Sequence, residues 1–103
     1  MDDILYLLAS EPARNEYGVI TETLTKRRVF CRVLSVSRAE FYEAGRNGLN
    51  PAYEFIVFAA DYCGETVCEF DGQTYSIYRT YHVPGTDEVE LYCERKGGTN
   101  GKS

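Results

Sequence analysis

The sequence predicts a mainly β fold, a small antiparallel β-barrel or sandwich of five to six strands with one short inserted helix. Three observations carry that expectation. Apolar and polar residues alternate with period two through most of the chain after residue 27, the pattern of strands with one buried face. Asp71-Gly72 stands between two such runs and is a strong hairpin signal. Ser37, followed three residues on by Glu40, reads as the start of a helix. At 103 residues the chain has the size of one domain. Residues 1–96 are read as that domain. Residues 97–103 are read as a disordered tail, because "KGGTNGKS" holds no apolar residue.

Each element has its own signature. "RRVFCRVLSV" is rich in β-branched residues and is expected to be a strand through Val36, with Val29, Cys31 and Val33 on one face. In "SRAEFYEAGRNG" the Ser37 hydroxyl is expected to accept from a first-turn amide while the Glu40 carboxylate reaches back to the Ser37 amide. Gly45 or Gly48 then closes a helix of about two turns, too short to be stable alone, so it must lean on a sheet or a neighbour. One of Phe41 and Tyr42 is expected to face the core. "AYEFIVFAAD", from Ala52 to Asp61, is apolar on both sides of its alternation and reads as a strand buried on both faces.

The Asp71-Gly72 turn sets Phe70 opposite Gln73, Cys68 opposite Tyr75 and Thr66 opposite Ile77. Unbroken alternation then sends Tyr75, Ile77, Arg79, Tyr81 and Val83 inward, and Tyr78, Thr80 and His82 outward. "EVELYCER" is one-sided, with Val89, Leu91 and Cys93 against Glu88, Glu90, Tyr92 and Glu94. Near the N-terminus "ILYLLA" fits a strand or a short helix, Asn15 to Gly18 a loop, and "VITETLT" a strand.

Composition narrows function. The net charge of −5 opposes binding phosphate backbones by overall attraction. The start, "MDDILYLLAS", is acidic where a secretory signal would be basic, and no run approaches the ~18 apolar residues of a membrane span. In a reducing cytoplasm Cys31, Cys63, Cys68 and Cys93 read as free, buried thiols in or beside strands. Their spacing, with His82 as the single histidine, suggests no metal site. The catalytic and phosphate-binding motifs GxSxG, HExxH, GxxxxGK[ST] and GxGxxG are missing, so neither an enzyme nor a cofactor is read from the chain. A nucleic-acid-binding barrel would stack bases on Tyr78. Its hairpin, however, is flanked by Glu65, Glu69, Asp71, Asp87 and Glu88, and Arg79 alternates inward.

The order of the pieces resembles the head-tail joining proteins of tailed phages and prophages, also called head-closure, stopper or head-completion proteins. Ser37, Glu40 and Ala44 stand where that family has a Ser-x-x-Glu and an Ala in a short helix after the first long strand. Gly72, Tyr75 and Ile77 stand where it has a hairpin Gly and a Tyr-x-Ile, and Val89 and Leu91 match its last strand. The resemblance covers roughly residues 17 to 95. The middle strand, "EFIVFAAD", lacks the basic residue that many relatives carry there.

The resemblance implies a small barrel, a monomer in solution, that forms a ring of commonly twelve copies on the particle. That ring would sit beneath the portal and its adaptor protein, close the DNA-filled head, and dock a tail terminator or tail tube protein. DNA would pass through without sequence-specific binding, and no membrane is involved. The expected location is the virion, assembled in the cytoplasm of the bacterial host. A tail terminator or an adaptor of the same connector is the alternative. The expected partner-binding residues are Arg46, Asn47, Leu49 and Asn50, in a loop drawn from "AGRNGLNPAY", with Tyr42 and Tyr78 at a subunit boundary. "ILYLL" and the polar tail are expected to be docking arms that order on assembly.

Overall fold

A computed structural model describes residues 2–96. Six antiparallel strands close into a barrel, β1 (Asp3–Arg14), β2 (Ile20–Leu34), β3 (Pro51–Phe58), β4 (Val67–Phe70), β5 (Gln73–His82) and β6 (Glu88–Arg95). Their order around the barrel is β1-β2-β3-β6-β5-β4. One helix, α1 (Arg38–Arg46), lies between β2 and β3, and a turn of 3₁₀ helix (Ala59–Asp61) follows β3. The expected class is therefore the observed one, resolved in favour of the barrel. The tail expected to be disordered lies outside the described residues.

Alternation fills the interior. Leu5, Leu7, Val29, Cys31, Phe55, Val57, Cys68, Tyr75, Ile77, Val89, Leu91 and Cys93 form one buried cluster, and every strand contributes. Tyr53, Phe55, Phe70 and Tyr75 meet with ring centroids 5.1 to 6.1 Å apart, in tilted and edge-on arrangements that favour such pairs. Half-buried beside this core, Arg27 pairs with Glu65 at 2.8 Å, while the Tyr62 hydroxyl donates to the Glu65 carbonyl at 2.6 Å. Asp71 and Gly72, at φ 53° and 81°, make the two-residue turn that the sequence indicated. Phe70 faces Gln73 and Cys68 faces Tyr75, as expected, and the Ile77 N–H donates to the Thr66 carbonyl.

Several expectations need correction. "ILYLL" is no arm: Leu5 and Leu7 are fully buried core of β1, because the alternation of Leu5 and Leu7 continues that of Val29 and Cys31 across the ladder. β2 is one strand of 15 residues that ends at Leu34 rather than Val36, and β3 ends at Phe58 rather than Asp61. Cys63 is exposed in the loop before β4, unlike the other three thiols.

Alternation along β5 is not unbroken. Ile77 pairs with Cys93 but Arg79 pairs with Tyr92, so Tyr78 is an extra residue, a β-bulge. The bulge resets the faces: Arg79 and Tyr81 turn outward, and Tyr81 is 46% exposed.

β1 and β2 outrun the barrel. Their ladder continues from Asp3–Cys31 to Arg14–Ile20, while β4 covers β1 only at Tyr6–Leu8 and β3 covers β2 only at Arg32–Leu34. The remainder is a two-stranded ribbon that helps stretch the molecule to 51 Å. At its tip the Asn15 side chain accepts from the Tyr17 and Val19 amides, a local turn lock. Counted from the bond between the Asn15 N–H and the Val19 carbonyl, the Ala13–Thr21 pair is hydrogen-bonded and the Pro12–Glu22 pair is not. The Pro12 nitrogen therefore faces the outer edge, where a missing N–H costs the ladder nothing.

The core assignment makes a direct expectation. Phe55→Ala, at 0% exposure in the centre of the cluster, should lower stability by about 3–5 kcal/mol. Urea denaturation followed by tyrosine fluorescence measures it, and a loss below about 1 kcal/mol would contradict this packing.

Candidate functional site

α1 begins as the sequence indicates. Ser37 is its N-cap, and its hydroxyl accepts from the Glu40 amide at 3.1 Å. The Glu40 carboxylate does not turn back to the Ser37 amide, which corrects the expected reciprocal cap. It reaches instead to β5, accepting from the Tyr78 hydroxyl at 2.6 Å and from the Arg79 guanidinium. Only a bulge allows this, since consecutive residues on a regular strand point to opposite faces. The two donors on β5, one of them a full cation, outweigh the single backbone N–H that the local cap would offer.

The helix ends in a Schellman motif. The Leu49 N–H donates to the Ala44 carbonyl and the Gly48 N–H to Gly45, with Gly48 at φ 79°. Of the two glycines the sequence offered as a stop, Gly48 is the one used. α1 rests on the outer face of β3 through Ala44, 4% exposed, and the outward residues Glu54 and Ile56 of β3 are buried at 9% and 4%. β3 is thus covered on both faces, as its composition indicated. Phe41 and Tyr42 are both exposed, at 47% and 63%, so neither ring faces the core. A small side chain, Ala44, brings the backbone close, and both rings are left exposed.

Around the Glu40 clamp lies a polar cluster. The Arg79 guanidinium stacks over the Tyr92 ring at 4.0 Å, a cation–π contact. The Tyr92 hydroxyl donates to Glu90 at 2.5 Å. Burial first, and then the bonds to Glu40 and Glu90, hold the Tyr78 and Tyr92 phenols well above their ordinary pKa. Both remain donors at any physiological pH. Burial raises the Glu54 carboxyl above the usual range, with Glu90 and Glu40 adding repulsion and Arg79 opposing it. The cluster holds protons in place; it is a clamp.

The six residues expected to bind partners fall in different places. Asn47, Leu49 and Tyr78 share the wall of one open pocket of about 430 Å³, with Glu40, Glu43, Ala44 and Arg79. Arg46 is the last helical residue and pairs with Glu43 at 2.8 Å on the surface. The Asn50 N–H donates to the Glu94 carboxylate at 3.0 Å and ties the loop to β6. Tyr42 stands on the solvent side of α1. The expected long loop is short and pinned: "AGR" belongs to the helix, "PAY" to β3, and residues 47–50 alone connect them.

The sequence reading missed the exposed apolar residues of the ribbon and its tip. Tyr17, Val19, Ile20 and Leu24 are 82%, 56%, 64% and 67% exposed, and Phe30 is 51% exposed. The signal was strand length. An uninterrupted run from residue 20 to 34 is more than twice the usual strand of 5–6 residues, so part of it had to project.

Two outcomes test the clamp. Glu40→Ala leaves Tyr78 without its partner and should cost about 1–3 kcal/mol in urea titrations; in a double-mutant cycle with Arg79→Ala the two losses should fall clearly short of additive. Glu54→Gln tests the buried carboxyl. A raised folded-state pKa means that ionised Glu54 opposes folding above that pKa and ceases to do so as the pH falls through it. The substitution should raise the thermal midpoint at pH 7, with the gain shrinking as the pH approaches ~4.

Among the described residues no helix is long and apolar enough to cross a membrane, and no three His, Cys, Asp or Glu side chains are grouped to hold a metal ion. In comparisons with known proteins, no family model matches this chain and no curated protein is significantly similar to it.

Proposed function

We propose that this protein is a structural connector of a tailed phage or prophage, a head-closure protein that joins head to tail. The observation that carries the reading is the barrel with a single strand-helix-strand insertion, in the order that the motif resemblance requires. α1 follows the first long strand with Ser37, Glu40 and Ala44 at its cap, clamp and contact. Exposed apolar residues in two separate places support it further, Phe41 and Tyr42 on α1 and Tyr17 to Leu24 on the ribbon. A ring subunit needs such separate contacts, one for each neighbour or layer.

On this reading the protein works by position rather than by chemistry. Copies assemble beneath the portal adaptor as a ring, commonly of twelve, and present a docking surface for the tail terminator or tail tube. Tyr42, Arg46, Asn47, Leu49, Asn50 and Tyr78 contribute contacts to these partners. The acidic balance, −5 overall, lets DNA pass without adhering. Arg79 does not offset this, because Glu40 neutralises it.

Negative-stain microscopy of particles made without this protein tests the proposal. Heads that leak DNA beside complete unattached tails are the expected result. Tails of uncontrolled length would point instead to a terminator, and normal virions would overturn the connector reading. A Phe41→Ser/Tyr42→Ser variant should fold, since neither ring is buried, yet reduce joined particles at least tenfold by plaque count.

A further inference from the structure

The ribbon carries one backbone edge that no strand covers. Counted as above, the even-numbered residues of β2 from Ile20 to Phe30 turn their N–H and C=O groups away from β1. β3 takes up that edge only from Arg32 onward. Six successive outward-facing residues, each with its N–H and C=O, therefore lack a strand partner among the described residues. The same even positions carry the exposed row Ile20, Leu24 and Phe30, together with Glu22 and Arg28. Neither Glu22 nor Arg28 has an ion-pair partner among the described residues, whereas Lys26 is held by Glu69 at 3.2 Å and Arg32 by Glu88 at 3.7 Å.

We infer that this edge pairs with the same edge of a second copy of this chain, antiparallel and about a two-fold axis at Thr25. In that register Glu22 lies opposite Arg28 of the other copy, Ile20 opposite Phe30 and Leu24 opposite Lys26, and each rung occurs twice. The neighbouring registers are worse. A shift of two residues one way sets Lys26 against Lys26 and Glu22 against Phe30. The shift the other way sets Ile20 against Arg28 and asks Glu22 to take a Lys26 that Glu69 already holds. Opposite charges and apolar pairs on facing strand positions stabilise a ladder, and like charges there destabilise it. The opposite edge of the ribbon offers no equivalent, since Pro12 lacks an N–H. The pairing is a solution contact that goes beyond the connector reading and replaces the solution monomer that the family resemblance implies.

Charge exchange tests the register. The wild-type chain should sediment as a dimer at about 100 μM. Glu22→Arg and Arg28→Glu, each setting like charges on two rungs, should weaken dimerisation at least tenfold. The double variant should restore it. Circular dichroism checks that each variant is folded, as exposed positions lead one to expect. A second measurement needs no charge change. Thr25→Cys in a Cys63→Ser background should cross-link as a dimer on mild oxidation, because facing non-hydrogen-bonded positions lie within disulfide reach. A monomer at 100 μM, single variants that dimerise normally, a double variant that stays monomeric, or failure of Thr25→Cys to cross-link would each overturn the inference. None of these bears on the connector reading, which stands or falls on particles.

Discussion

A nine-residue helix cannot hold itself, and here it is held by one carboxylate. Glu40 receives the Tyr78 hydroxyl and the Arg79 guanidinium, and a polar network on the outer face of β5 and β6 gathers about that contact. The helix covers Ile56 and Glu54 of β3, so the middle strand is buried on both sides. The bulge at Tyr78 exists in a place where two successive side chains must reach the same partner. Arg79 then stacks on Tyr92, whose hydroxyl meets Glu90, extending the same network to β6. Without the carboxylate, a half-buried phenol would lose its acceptor and a guanidinium its counter-charge.

Much of the fold was written in local chemistry. The Asp71-Gly72 turn, the Ser37 cap and the two-sided apolarity of β3 each follow from interactions within a few residues, and each appears where the sequence put it. What alternation could not reveal was its own interruption. A bulge leaves no mark when the inserted residue is a tyrosine, equally at home inside or out, so Arg79 and Tyr81 were assigned to the wrong face. The Glu40 side chain was misplaced for a related reason. A local cap can be read from spacing, whereas a partner 38 residues away is supplied only by the closed barrel.

The candidate site was legible in part for the same reason. Asn47, Leu49 and Tyr78 do share a pocket, because the helix stop and the bulge bring them together. Arg46, Asn50 and Tyr42 are near but separately engaged. The apolar row of the ribbon was overlooked because its residues alternate just as core residues do. Ile20 and Leu24 stand at the even positions of β2 with Phe30, on the face opposite Val29 and Cys31, and among the described residues no element covers that face as α1 covers the outer face of β3.

Pro12 gives the ribbon a handedness of growth. Exposed sheet edges are templates on which further strands, and eventually fibres, can build. A ribbon open along both sides could lengthen without limit wherever the protein is concentrated. With a proline nitrogen on one side, accretion has a single direction and stops after one step, because the newcomer turns its own guarded side outward. One missing hydrogen thus sets a ceiling on aggregation while leaving the opposite side free to be used.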